Sequence, residues 1–296
     1  MEAVPEVVAL SEHLEVLQPQ SQTVPLVFAS PHSGSNYPPE FVAASRLDPV
    51  SLRRSEDCFV DQLFRAAPDH GAPLLRALFP RAFVDPNREP FELDPGMFED
   101  ALPPYANTAS ARVAAGLGTI ARVVTNGQEI YRNKLRFAEA ADRIGTYYRP
   151  YHRALQDLLE ATRARFGCYL LIDCHSMPSI GGPMDPDAGR GRADFVIGDC
   201  FGSSCDDAVA SAVEATLKDM GFTVLRNRPY AGGFTTSHYG KPTSGLHAVQ
   251  IEINRALYMD ENAIAAHNGL KPLAEKMTRL IARLAAAIPL RDLKPK

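Results

Sequence analysis

The run Cys168-Tyr169-Leu170-Leu171-Ile172-Asp173-Cys174-His175-Ser176 decides the fold class. Its first five residues are apolar without alternation, the mark of a strand covered on both faces. Upstream, a helical stretch from about Ala138 to Phe166, interrupted near Pro150, stops at Gly167. Farther out, Val24 to Ser30 reads as a buried strand ended by Pro31, and Pro73 to Val84 as extended chain. Ser55 reads as the cap of a helix carrying Val60, Leu63, Phe64 and Ala67 on one stripe. Ala193 to Ile197, Phe222 to Leu225 and Ala248 to Ile253 repeat the strand theme. They alternate with helical patterns at about Asp206 to Met220 and Asp260 to Ala287. This alternation predicts an α/β fold with a mixed, mostly parallel central sheet and helices on both faces. No linker, repeat or low-complexity block divides the 296 residues, so a single domain over 1–296 is expected.

Composition excludes several functions. Hydrophobic residues at 45% and charged residues at 22% are ordinary globular usage. A net charge of −4 gives no basic face for nucleic acid. The apolar runs fall far short of the ~20 residues that cross a membrane as a helix. Glu2 and Glu6 stand where a signal peptide would be basic and then apolar. Five cysteines, an odd number, form no disulfide framework and suit a reducing compartment. A cytoplasmic protein with a small-molecule partner is expected. Cys58, Cys168, Cys174, Cys200 and Cys205 read as packed interior residues, and the basic tail with Arg291, Lys294 and Lys296 as frayed and solvated.

In α/β sheets, sites gather where strands end. The first long strand runs into Pro31-His32-Ser33-Gly34, the central one into Asp173-Cys174-His175-Ser176, and the last carries Gln250-Ile251-Glu252-Ile253-Asn254-Arg255. On that last strand Val249, Ile251 and Ile253 share one face, which puts Gln250 and Glu252 on the other. Asp57 and Asp61 of the Ser55 segment add carboxylates. Each histidine alone reads equally well as a core residue, but the set points to metal. Two imidazoles and a carboxylate make a catalytic zinc site with one position left for water. Zinc lowers the pKa of that water to about 7, and a nearby glutamate can carry its proton to a leaving amine. No HExxH fixes two ligands on one helical turn.

These motifs, with Asp85-Pro86-Asn87-Arg88, Gly116-Leu117-Gly118-Thr119-Ile120, Pro150-Tyr151-His152 and Gly232-Gly233-Phe234-Thr235 running on to His238-Tyr239-Gly240, resemble the N-formylglutamate amidohydrolase family. The matches keep their order from about residue 26 to 262. The resemblance implies a fold related to zinc carboxypeptidases and aspartoacylase. It also implies hydrolysis of N-formyl-L-glutamate to formate and L-glutamate, a late step of histidine degradation. It assigns His32 and His175 as zinc ligands, with Asp57 as the third and its neighbour Glu56 as the rival. Ser35 stands where zinc carboxypeptidases place a ligand glutamate. Glu252 matches the general base and acid of those hydrolases, Asn87-Arg88 the pair that grips a substrate carboxylate, and Arg81 the residue at the oxyanion.

Charge supports the arginines independently. A chain of net charge −4 binds a dianion only through locally fixed cations, and guanidinium grips carboxylate bidentately. Arg81, Arg88 and Arg255 stand beside strand ends, and His238 lies in a glycine-rich loop able to close over the site. Ser237 replaces the basic residue common before that histidine, which leaves the acid recognised open. Gly181-Gly182 and Gly189-Arg190-Gly191-Arg192 lack the context of a nucleotide loop. Two rival functions remain. Gly198-Asp199-Cys200-Phe201-Gly202 has the strand-turn-helix setting of a nucleophile elbow, with Cys200 as nucleophile and Asp219 and His267 as partners. Alternatively, the same ligands serve a non-catalytic protein that binds metal or carboxylate.

Overall fold

The computed structural model describes residues 6–183, 185–287 and 293–294. Within them an eight-stranded sheet runs in the order β1-β2-β4-β3-β5-β8-β6-β7. The strands are β1 (Glu6–Ser11), β2 (Leu14–Gln18), β3 (Leu26–Ser30), β4 (Leu74–Ala77), β5 (Tyr169–Met177), β6 (Phe195–Gly198), β7 (Val224–Arg226) and β8 (Leu246–Asn254). Pairings β4/β3, β3/β5, β5/β8 and β6/β7 are parallel, and β1/β2, β2/β4 and β8/β6 antiparallel. The mixed, mostly parallel sheet expected from the sequence is therefore present. The β1/β2 hairpin enlarges it at an edge where no strand was expected.

Apolar residues leave both faces of the sheet, as an uninterrupted strand requires. On one face Phe28, Ile172, Val249, Ile251 and Ile253 pack against Val209 and Val213 of helix Asp207–Asp219 and Met277 and Ile281 of helix Leu270–Ala287. On the other, Val27, Ala29, Leu171 and Ala248 meet Tyr151, Leu155 and Leu159 of helix Arg149–Phe166. Burying one such side chain contributes roughly 1.5–3 kcal/mol, so the two cores hold three layers together. Leu293 is buried and its carbonyl lies 3.2 Å from His247 Nε2, so the tail is anchored there. Lys294 is exposed, and Arg291 and Lys296 lie outside the described residues.

Three expected helices differ. The Ala138 to Phe166 stretch is helix Phe137–Arg143, a π-helical turn Ile144–Tyr148, and helix Arg149–Phe166. The Arg149 N–H bonds to the Ile144 carbonyl, which widens the turn just before Pro150. Gly167, at φ 79°, ends the helix as expected. The last helix begins at Leu270, because Asp260 caps a turn through the Asn262 and Ala263 N–H groups and starts a small hairpin. The Ser55 helix shrinks to Val60–Leu63. Phe59 has φ 64° and breaks it, while the Asp57 N–H is drawn away to the His32 carbonyl at 3.0 Å. Val60, Leu63, Phe64 and Ala67 are nonetheless all buried, so their apolar pattern holds without the helix.

Candidate active site and metal centre

Parallel β3, β5 and β8 end at one edge, and the side chains there follow from register. His175 lies directly opposite Glu252, and Asp173 opposite Gln250. With a strand period of two, all four side chains stand on one face, the face opposite Ile172 and Ile251. His32 follows β3, and its ring centroid lies 4.7 Å from that of His175. Gly34 lets this turn pass the Phe79 carbonyl, which a Cβ would meet at 2.3 Å. The Asp57 N–H bond to His32 brings the third residue in. Asp57 Oδ2 then sits 3.0 Å from His175 Nδ1 and 3.4 Å from His32 Nδ1.

The donor atoms of His32, Asp57 and His175 all lie within 4.8 Å of one another, on three buried residues. The two outer ring nitrogens are held by further carboxylates. His32 Nε2 lies 2.8 Å from Asp85 Oδ1, and His175 Nε2 2.9 Å from Asp173 Oδ2. This is how metal-ligating imidazoles are oriented, one nitrogen to a carboxylate and the other to the ion. His32 Nδ1 is buried with no hydrogen-bond partner, although such atoms are ordinarily satisfied. An orphaned imidazole nitrogen, facing a carboxylate and a second imidazole, fits a cation.

The electrostatics agree. Burial alone would raise Asp57, but the bond to His175 and the nearby His32 ring hold it well below the usual carboxylate range. Burial opposes charge on His175, yet Asp173 and Asp57 push its pKa well above that of a free imidazole. A cation at these donors would displace the proton of the 3.0 Å hydrogen bond between His175 Nδ1 and Asp57 Oδ2. Burial pushes Glu252 up to about 7, helped by Asp57 and opposed by His175 and Arg81. Gln250 Nε2 donates to Glu252 Oε1 at 2.9 Å and aims the carboxylate. A carboxyl titrating near neutrality can both take and give a proton.

The centre opens into a cavity of about 380 Å³ lined by His32, His175, Glu252, Arg81, Arg88, Arg112 and Arg255 among others. Residues 24–259 match the profile of the N-formylglutamate amidohydrolase family. The chain belongs to that family. An N-formylglutamate deformylase of Pseudomonas aeruginosa is 31% identical over 280 residues, covering 93% of this chain and 96% of the relative. One from Pseudomonas putida is 28% identical over 83% of this chain and 86% of its own. The crystal structure of N-formylglutamate amidohydrolase from Ralstonia eutropha JMP134 superposes with a TM-score of 0.83 at 36% identity, over 93% and 97% of the two chains.

Within this amidohydrolase fold the expected residues divide. His32, His175, Glu252, Arg81, Asn87 and Arg88 line the cavity, and Asp57 stands against the two imidazoles. Glu56 points elsewhere, paired with Arg53 at 2.9 Å and with the Cys58 thiol, so Asp57 is the carboxylate of the cluster. Arg255 reaches the cavity, but its guanidinium donates to Asp57 Oδ1 at 3.0 Å, Ser176 Oγ at 3.1 Å and the Arg54 carbonyl at 3.1 Å. It steadies Asp57 rather than standing ready for a substrate. Asn87 is similarly engaged, accepting from Thr235 N at 2.8 Å and donating to Asp173 at 3.5 Å. His238 is not brought in: it is exposed, its ring stacked on Phe234 of the short helix Phe234–Tyr239. His152 fills the space behind that helix, with Nε2 2.8 Å from the Pro86 carbonyl and Nδ1 2.9 Å from the Tyr239 hydroxyl.

The cysteine elbow fails on geometry. His267 directs Nε2 to the Ala256 carbonyl and Nδ1 to the Gly269 N–H, leaving no ring nitrogen for the Cys200 thiol. Cys200 itself is half-buried, while the other four cysteines are buried as expected. Among the described residues no helix is long and apolar enough to cross a membrane. Asp85, Asp173 and Arg112 are the site residues that the sequence reading did not assign. Asp173 was within reach, since two residues before His175 on a strand means the same face. Arg112 carried no signal, lying in a single turn, Ala111–Ala114, outside every strand end.

Proposed function

We propose that this protein hydrolyses the amide of N-formyl-L-glutamate to formate and L-glutamate, with a zinc ion held by His32, Asp57 and His175. The observation that carries the reading is the buried triad of donors with both outer imidazole nitrogens on carboxylates, beside an unliganded Glu252. Family membership and the deformylase names of relatives covering nearly the whole chain supply the substrate. A zinc ion at these donors supplies Lewis acidity and lowers the pKa of water to about 7.

The chain's own groups do the rest. Glu252 takes a proton from the attacking water as the new C–O bond forms at the formyl carbon. It delivers that proton to the α-nitrogen as the C–N bond breaks, leaving formate and the free amine. Arg81, fixed by Asp85 at 2.8 Å, faces the negative charge that develops on the formyl oxygen. Arg88 holds the substrate's α-carboxylate. Its side chain is anchored by the Leu117 carbonyl at 2.7 Å and the Asn87 carbonyl at 2.9 Å, which fixes the direction of the fork. Asp85 and Asp173 keep the two imidazoles in one tautomer.

Glu252→Gln tests the assignment against a protein that merely binds. The variant is expected to keep its zinc and its affinity for L-glutamate while kcat for formate release falls about 10²–10⁴-fold. Unchanged turnover in that variant would remove Glu252 from the mechanism. Absence of formate release by the unaltered protein would leave only the binding function.

A further inference from the structure

Three of the four cavity arginines are already matched by carboxylates. Arg81 pairs with Asp85 at 2.8 Å, Arg255 with Asp57 at 3.0 Å, and Arg88 lies 3.5 Å from Asp85. Arg112 is different. No carboxylate of the described residues stands within ion-pair distance of it, and its polar contact is the Gly232 carbonyl at 3.5 Å, the outer limit of a hydrogen bond. Its backbone is nonetheless fixed, because Ser110 caps the turn Ala111–Ala114 through the Val113 N–H at 3.0 Å and its hydroxyl donates to buried Glu92. A cation on a pinned element, facing a cavity without a counter-ion, marks where an anion binds.

Its position fits one end of a dicarboxylic acid. Asp85, on His32, also lies beside Arg88, and Arg88 in turn touches the Leu117 carbonyl of the segment that follows Arg112. Arg112 lines the same cavity as Arg88 and lies close enough for the two charges to repel. Leu117, Ala121 and Val123 give the same wall an apolar stretch suited to methylene groups. In an N-acyl glutamate the α-carboxylate shares its carbon with the scissile nitrogen, whereas the side-chain carboxylate lies two methylenes farther out. We propose that Arg112 binds that side-chain carboxylate and sets the preference for glutamate over neutral amino acids. The assignment rests on the deformylase reading above.

The test compares N-formyl-L-glutamate with N-formyl-L-glutamine, which keeps the shape and loses the charge. Both substrates are measured on the zinc-loaded wild type, Arg112→Met and Arg112→Gln, with calorimetric binding of L-glutamate and L-glutamine alongside. Loss of one charge-assisted contact is expected to lower kcat/KM for the acid about 10–100-fold, mostly through KM. The amide should lose far less, so that the preference collapses in both variants and in both assays. A merely structural Arg112 would lower acid and amide by one common factor, and that result overturns the assignment. So does a wild type with no preference for the acid, including one that binds neither product. If the wild type releases no formate, the deformylase reading fails, and the glutamate-to-glutamine binding ratio still decides Arg112.

Discussion

Asp85 concentrates the electrostatics of the site on one residue. Burial alone would raise its pKa, but Arg81, Arg88 and His32 together hold it well below the usual carboxylate value near 3.8. A group whose folded pKa is depressed adds stability above its unfolded pKa and loses it as pH falls. Metal-free protein is therefore expected to lose thermal stability below about pH 4. Asp85→Asn should melt lower at neutral pH, because it leaves buried arginines unmatched, and its melting temperature should fall less steeply between pH 5 and 3. Equal slopes for the two proteins would show that Asp85 is not the titrating group. Asp173→Asn probes the other imidazole and is expected to weaken zinc binding about 10–100-fold, read by competition with a chelator. At this scale His32, His175 and Glu252 were legible in the sequence because each lies near the end of a strand. The sequence reading preferred Asp57 but kept Glu56 as a rival, since adjacent residues differ only in direction. The His32 carbonyl and the Arg53 guanidinium settle that choice through contacts made in the folded chain.

Two elements hold the cavity walls together. The π-helical turn Ile144–Tyr148 and the helix Arg149–Phe166 that it feeds set Tyr148 and His152 against the Asp85–Arg88 loop. The Tyr148 hydroxyl donates to the Arg88 carbonyl at 2.8 Å, and His152 bridges Pro86 to Tyr239. Burial pushes His152 down to about 4, so it bridges as a neutral ring at physiological pH. Tyr148→Phe removes one donor and is expected to cost about 1 kcal/mol in urea unfolding and to raise KM more than it lowers kcat. Gly233 marks the other wall: a Cβ there would meet the Asn87 amide at 2.2–2.5 Å. Gly233→Ala should therefore displace Asn87, destabilise the protein by about 1–3 kcal/mol and weaken zinc binding through Asp173. Wild-type zinc affinity in that variant would contradict the link. Strand positions were legible at this scale because apolar runs survive in the sequence. The Ser55 helix was misread because its stripe is satisfied by packing alone, and a positive φ at Phe59 leaves no mark in composition.

The whole molecule is a three-layer sandwich whose central parallel strands deliver residues from distant parts of the chain to one edge. The sequence supports that architecture wherever strands are covered on both faces, and fails at the β1/β2 hairpin. Val7 and Leu10 of β1 are about half exposed, and an edge strand without a buried run gives little signal. The cavity is the second global feature. A chain of net charge −4 lines it with four arginines, and this arises from folding rather than from composition. Because the candidate metal donors come from three separate segments, an ion tying them together should stabilise the fold as a whole. Zinc at 1,000 times its Kd would contribute about 4 kcal/mol, visible as a fall in melting temperature on chelation and its recovery on zinc addition.

The most direct test of the central claim is formate release from N-formyl-L-glutamate by metal-stripped protein, before and after one equivalent of zinc. Turnover is expected to be absent without the ion and to appear with it. Turnover that ignores chelation would contradict a mechanism built on His32, Asp57 and His175.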